Sequence, residues 1–182
     1  MNNIKQQQDQ LRSIGIKFEV GLLELEIKEI EKNFSIQFPH DLKEFLMAGL
    51  PVSEGFPNWR TEQPEKIKQW ISQPLEGLLF DIEINNVWLK QWGEKPTTIE
   101  STKKRIMELY NQAPKLIPIY KHRYIPSVPA TDGNPVFSVW QSDIIIYGLD
   151  FSHYLSVEFK IDNPTNLPKE SRRINFWNDF LQ

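Results

Sequence analysis

What most restricts the fold of this chain is a change in the spacing of its apolar residues. Up to about residue 114 they recur mainly at helical intervals, and from there to residue 147 they mostly alternate. Leu23, Ile27, Ile30 and Phe34 form one stripe, with Glu24, Glu26, Lys28, Glu29, Glu31 and Lys32 on the other faces, the pattern of an amphipathic helix. Glu24 and Glu26 suit its electropositive start. Pro39 opens a second helix at its first position, with Leu42, Phe45 and Leu46 inward, Gly49 as its stop and Pro51 just beyond. Ile4, Leu11 and Ile14 mark a short helix before an alternating segment at 16–20. Ile99, Ile106, Leu109 and Tyr110 mark a longer helix that ends before Pro114. Residues 115–121, 136–140 and 143–147 read as strands, the last two joined by Gln141-Ser142 at hairpin length. Pro118 marks its strand as an edge or a bulge. Asp150 caps a helix with Phe151, Leu155 and Phe159 on one face, and Ile174, Trp177 and Leu181 give a last one. Helices early and strands late favour α+β over a repeated βαβ unit.

Proline and glycine set further expectations. Pro51, Pro57 and Pro64, with Gly55, mark a loop. A helix from 65 to about 72 is expected to stop before Pro74. Residues 77–84 read as a strand, with Leu78, Phe80, Ile82 and Ile84 facing one way and Asp81 and Glu83 the other. Trp88 and Trp92 share a short helix ending at Gly93. Residues 125–135 and 162–170 read as loops. There is no internal repeat and no linker that forces a boundary, so residues 1–182 read as one domain.

Composition narrows the function. A formal charge of -3 argues against direct nucleic-acid binding, which calls for a basic patch. The absence of cysteine removes disulfides, thiolate metal sites and a cysteine nucleophile, and is compatible with a reducing cytoplasm. The first ten residues lack the apolar core of a signal peptide. No stretch approaches the ~18 apolar residues of a membrane span. A cytoplasmic location is the expectation.

Two blocks carry a family resemblance. Residues 26–51, EIKEIEKNFSIQFPHDLKEFLMAGLP, place a charged helix before Phe-Pro and a short helix ending in Leu-Pro. Residues 116–148, LIPIYKHRYIPSVPATDGNPVFSVWQSDIIIYG, carry His-Arg-Tyr, Gly-Asn-Pro-Val and Asp-Ile-Ile-x-Tyr-Gly steps. They resemble the SUKH superfamily, the second block a bacterial branch of it, and FPNWR (56–60), GLLFDIE (77–83) and WLKQWG (88–93) fit that branch. The resemblance spans roughly residues 20–160. Leu23 departs from it, standing where a capping Ser or Thr is common. The resemblance implies an α+β domain with a central, mostly antiparallel sheet and helices packed mainly on one face. It implies a non-enzymatic protein-binding module with no catalytic motif or cofactor. Many bacterial members look like immunity proteins that neutralise a cognate toxin, and fungal relatives look like regulatory scaffolds.

The residues themselves leave alternatives. His122-Arg123-Tyr124 suits gripping a carboxylate or phosphate, or else Arg123 pairs with an acid such as Asp81 or Glu83 while His122 and Tyr124 brace the sheet. His40, His122 and His153 lack metal-ligand spacing. Asp81 and Glu83 on one strand face show nothing of a glycosidase pair. No serine sits in a nucleophile-elbow setting. Trp59, beside Arg60 in a Pro-rich loop, is the tryptophan most readily placed at the surface. Trp59, Arg60, His122, Arg123 and Tyr124 are therefore the expected partner-binding residues. An enzyme using the His122–Arg123 region is the third reading, after a toxin-neutralising module and a scaffold.

Overall fold

The computed structural model describes residues 2–164 and 166–181. Three helices open the chain, α1 (Asn2–Ser13), α2 (Glu24–Phe34) and α3 (His40–Ala48). A short antiparallel pair, β1 (Phe18–Glu19) with β2 (Leu50–Pro51), ties them together. A long helix α4 (Pro64–Ile84), a 3₁₀ turn (Lys90–Trp92) and α5 (Ile99–Gln112) follow. The main sheet comes next as an antiparallel meander of β3 (Leu116–Tyr120), β4 (Arg123–Pro126), β5 (Val136–Trp140) and β6 (Asp143–Gly148), paired in that order. Helix α6 (Phe151–Phe159) and a 3₁₀ turn (Trp177–Phe180) complete it. The class is α+β with antiparallel sheets, as the change of period implies.

Successive strand residues point to opposite faces of a sheet, and here both faces are buried. Ile117, Ile119, Ile125 and Val136 join one core with α1, α2, α3 and α6, through Leu11, Ile27, Phe45 and Tyr154. Leu116, Tyr124, Phe137, Val139 and Ile144 join a second core with Leu78, Ile82, Ile106 and Trp177. Most of the helices, α1, α2, α3 and α6, thus sit on one face as expected, and α4 and α5 add a second layer on the other. The second layer exists because residues 77–84 are the last turns of α4 and not a strand. Their apolar residues alternate, but Leu75, Leu78, Leu79 and Ile82 also make a helical stripe, which is the one turned inward. Phe80 and Ile84 point outward, 48% and 63% exposed. Asp81 is buried and accepts from Ser142 N–H (2.9 Å), from the Ser142 hydroxyl and from Asn85 Nδ2 (2.7 Å). It thereby fastens α4 to the β5–β6 turn.

Pro74 does not end α4. Proline lacks the N–H that would bond the carbonyl four residues back, which is that of Trp70. The Tyr124 hydroxyl, 3.2 Å from Trp70 O and 3.1 Å from Gln73 Oε1, donates there instead. A tertiary hydrogen bond thus replaces a missing helical one and lets the helix continue across the sheet. Pro118 lies on the edge strand β3, with a bulge between Pro118 and Tyr120, as expected. β4 lies partly inside a segment expected to be loop, and the final helix is only a 3₁₀ turn. Pro39 precedes α3 instead of opening it. Among the described residues no helix is long and apolar enough to cross a membrane.

Candidate functional site

The connection from β1 to α2 is short, and it is held from both sides. Leu22 is buried and its N–H bonds Leu46 O at 2.9 Å. At Gly21 a Cβ would lie 1.8 Å from Met47 O, so only glycine allows the chain to approach α3 this closely. Arg60 reaches in from the other side. Its Nε and Nη2 donate to the two Glu26 carboxylate oxygens at 2.7 and 3.0 Å, a bidentate fork. Nη1 and Nη2 also donate to the Val20 and Gly21 carbonyls at 2.9 and 3.1 Å. Glu26 accepts from Leu23 N–H at 2.7 Å, closing the start of α2 where Leu23 has no polar side chain of its own. The Arg60 guanidinium, with the Leu23 N–H second, holds the Glu26 carboxyl down at about 2.

This fixed loop and the first turn of α2 display aliphatic side chains to solvent. Val20 is 82%, Leu23 65% and Leu25 72% exposed. Beside it runs a surface groove of about 230 Å³, with Ile30, Phe34 and Ile67 in its lining and Glu29 and Glu62 on its rim. Leu23, expected on the inner stripe of α2, is outside, and Leu22 takes the buried place. The signal was in the sequence: Val20, Leu22, Leu23 and Leu25 are more apolar residues than one helical face can bury.

Trp59 is not an exposed anchor. It is 7% exposed, edge-on to Phe34 and Phe38 at 6.0 and 5.2 Å between ring centroids. The Trp59-Arg60 step divides the work, since the indole is rooted in the core and the guanidinium braces the loop. Asn58 Oδ1 accepts from both Arg60 N–H and Thr61 N–H at 3.1 Å and fixes the turn between them.

His122, Arg123 and Tyr124 do not form one cluster, because Arg123 and Tyr124 point to opposite faces of β4 and His122 sits in the turn before it. Arg123 faces α6, where Nε donates to Glu158 at 2.8 Å and Nη1 to Ser138 Oγ at 2.8 Å. Its guanidinium lies 3.7 Å from the Tyr147 ring centroid. Neither expected partner is used, since Asp81 binds the Ser142 turn and Glu83 pairs with Lys103 at 2.7 Å. Tyr124 faces α4 and serves the Pro74 break, and burial raises its phenol well above the usual range. His122 also lies on the α4 side, edge-on to Trp140 at 6.1 Å. Partial burial, and then the Arg123 charge, lower its pKa.

The other histidines have local roles. His40 Nδ1 is 2.8 Å from Asp132 Oδ1, and His153 Nδ1 accepts from Leu149 N–H at 3.1 Å. Among the described residues no group of three or more His, Asp and Glu is placed to hold a metal ion. No family model, curated protein or solved structure matches this chain.

Proposed function

We propose that this chain is a non-enzymatic protein-binding module of the bacterial immunity type, which neutralises a cognate toxin by occluding its active site. The observation that carries this reading is the loop fixed by Arg60. Exposed aliphatic residues cost little singly, but here Val20, Leu23 and Leu25 fall within six positions of chain. The backbone beneath them is immobilised by a bidentate ion pair, two carbonyl bonds and a glycine close approach. A surface ordered before binding has less entropy to lose on contact, which is the property an occluding protein needs. The resemblance of residues 26–51 and 116–148 to SUKH domains points the same way. The separation of His122 from Arg123 across the sheet weakens the alternative of an enzyme built on those two residues. A regulatory scaffold is the second reading, and the same loop would serve it.

The test is co-purification of the full chain with the product of the adjacent gene, followed by titration calorimetry with the double variant Val20→Asp/Leu25→Asp. Two exposed apolar contacts replaced by charges are expected to weaken the complex by about 30-fold or more while leaving the melting temperature unchanged. Full affinity in that variant, or no complex with the neighbouring product, sinks the proposal.

A further inference from the structure

The chain has six tryptophans, and the structure leaves only Trp140 exposed, at 67%. It stands at the end of β5 beside a cleft of about 270 Å³ between α4 and the strands β4 and β5. The charge in that cleft favours one kind of guest. Glu76 brings a carboxylate, one oxygen of which accepts from the Ser72 hydroxyl, Gln73 and Gln141 bring amides, and His122 brings an imidazole whose pKa partial burial lowers. No lysine or arginine lines the cleft. Of the two cations flanking His122 in sequence, Lys121 has its Nζ 4.9 Å from the Tyr120 ring centroid, and Arg123 is neutralised by its pair with Glu158 on the opposite face of the sheet. The Tyr124 hydroxyl, which could otherwise donate into the space, is already engaged with Trp70 O and Gln73. The walls are also set. At Gly77 a Cβ would lie 2.9 Å from Gln141 Cα, so α4 and the hairpin meet at closest approach, and Pro74 stiffens the neighbouring turn of α4.

We infer that this cleft binds the guanidinium of an arginine side chain presented by a partner protein, stacked on Trp140 with its edge toward Glu76. The inference rests on the protein-binding reading and adds the chemistry of one contact to it. A flat cation suits an exposed indole face, which attracts positive charge through its quadrupole. Its N–H groups, arrayed around the rim of the plane, reach a carboxylate while the face remains stacked. A lysine ammonium satisfies the carboxylate but lacks the plane. An uncharged urea group has the plane but neither the cation–π attraction nor the charge-assisted bond.

The test uses the full chain labelled with 5-fluorotryptophan and read by ¹⁹F NMR, the Trp140 resonance being assigned as the one lost in Trp140→Phe. N-acetyl-arginine amide is titrated, with the lysine and citrulline analogues as controls. The Trp140 resonance should shift saturably with the arginine compound, at least about fivefold more weakly with lysine, and no more than solvent background with citrulline. Glu76→Gln, on the exposed face of α4, should weaken the arginine response about tenfold at unchanged melting temperature. An equal response to citrulline, a response undiminished by Glu76→Gln, or no arginine response at all overturns the inference. None of these results touches the Val20→Asp/Leu25→Asp experiment, so failure of the cleft and failure of the binding loop are read separately.

Discussion

Replacing Tyr124 by phenylalanine removes one oxygen from a side chain that is 1% exposed, and the structure says what that oxygen does. Its proton serves the Trp70 carbonyl at 3.2 Å and the Gln73 amide oxygen at 3.1 Å. Gln73 is exposed and can turn to water. The Trp70 carbonyl has no fourth-residue donor, because that residue is Pro74. Leaving it unpaired beside the second core is expected to cost about 1–3 kcal/mol, or roughly 2–9 °C of melting temperature for a domain of this size. The same change in a Pro74→Ala background should be mild. Alanine restores the N–H, the helix closes its own bond, and the phenol becomes dispensable. Urea unfolding of the four proteins in the cycle, analysed at constant m-value, gives the coupling, expected at about 1–2 kcal/mol. If Tyr124→Phe costs the same in both backgrounds, the phenol does not compensate for the proline, and this account of α4 is wrong.

Trp59→Ala should cost about 3–5 kcal/mol in urea unfolding, as for a large aromatic removed from a core; a loss under about 1 kcal/mol would return Trp59 to the surface. Arg123→Met strands Glu158, which is 15% exposed, and should cost about 3–5 kcal/mol, whereas Arg123→Met with Glu158→Leu should recover most of it; a double variant as unstable as the single one would contradict this. Asp41 accepts from Leu42 N–H and Gly133 N–H, and burial raises its carboxyl to about 6 from the usual 3.8. A raised acid binds its proton more tightly in the folded state, so its contribution is most favourable below pH ~4 and declines by up to about 3 kcal/mol as pH rises to ~6. The stability of the native chain relative to Asp41→Asn should therefore fall between pH 4 and 6, and a pH-independent difference would refute the assignment.

The parts legible in the sequence were those governed by local rules. The stripes of α2, α3 and α5, the Asp150 cap and the β5–β6 hairpin follow from periodicity and capping alone. Pro74 was misread because its ordinary consequence, a broken helix, is averted by Tyr124, 50 positions away in sequence and visible only in three dimensions. Trp59 was misread because its neighbours Pro57 and Arg60 are loop residues, while the rings that bury it, Phe34 and Phe38, lie at the end of α2 and in the link to α3. His122, Arg123 and Tyr124 were different. Period-two alternation, applied to Arg123 and Tyr124 as it was to residues 136–140, separates the two without any structure.

The position of the meander in the chain has a consequence during synthesis. Domains form as the chain emerges, N-terminus first. Helices α1 to α5 leave the ribosome before any residue of β3, yet Ile27, Phe45, Leu78 and Ile106 are buried only in cores that the sheet completes. More than half of the chain must therefore wait with apolar stripes uncovered. Once β3 to β6 appear, each pairs with its immediate predecessor, so the template assembles by short-range closure, which is the fast kind. The nascent chain's hazard lies in the interval before residue 116, while the apolar stripes of α1 to α5 have no sheet to close against.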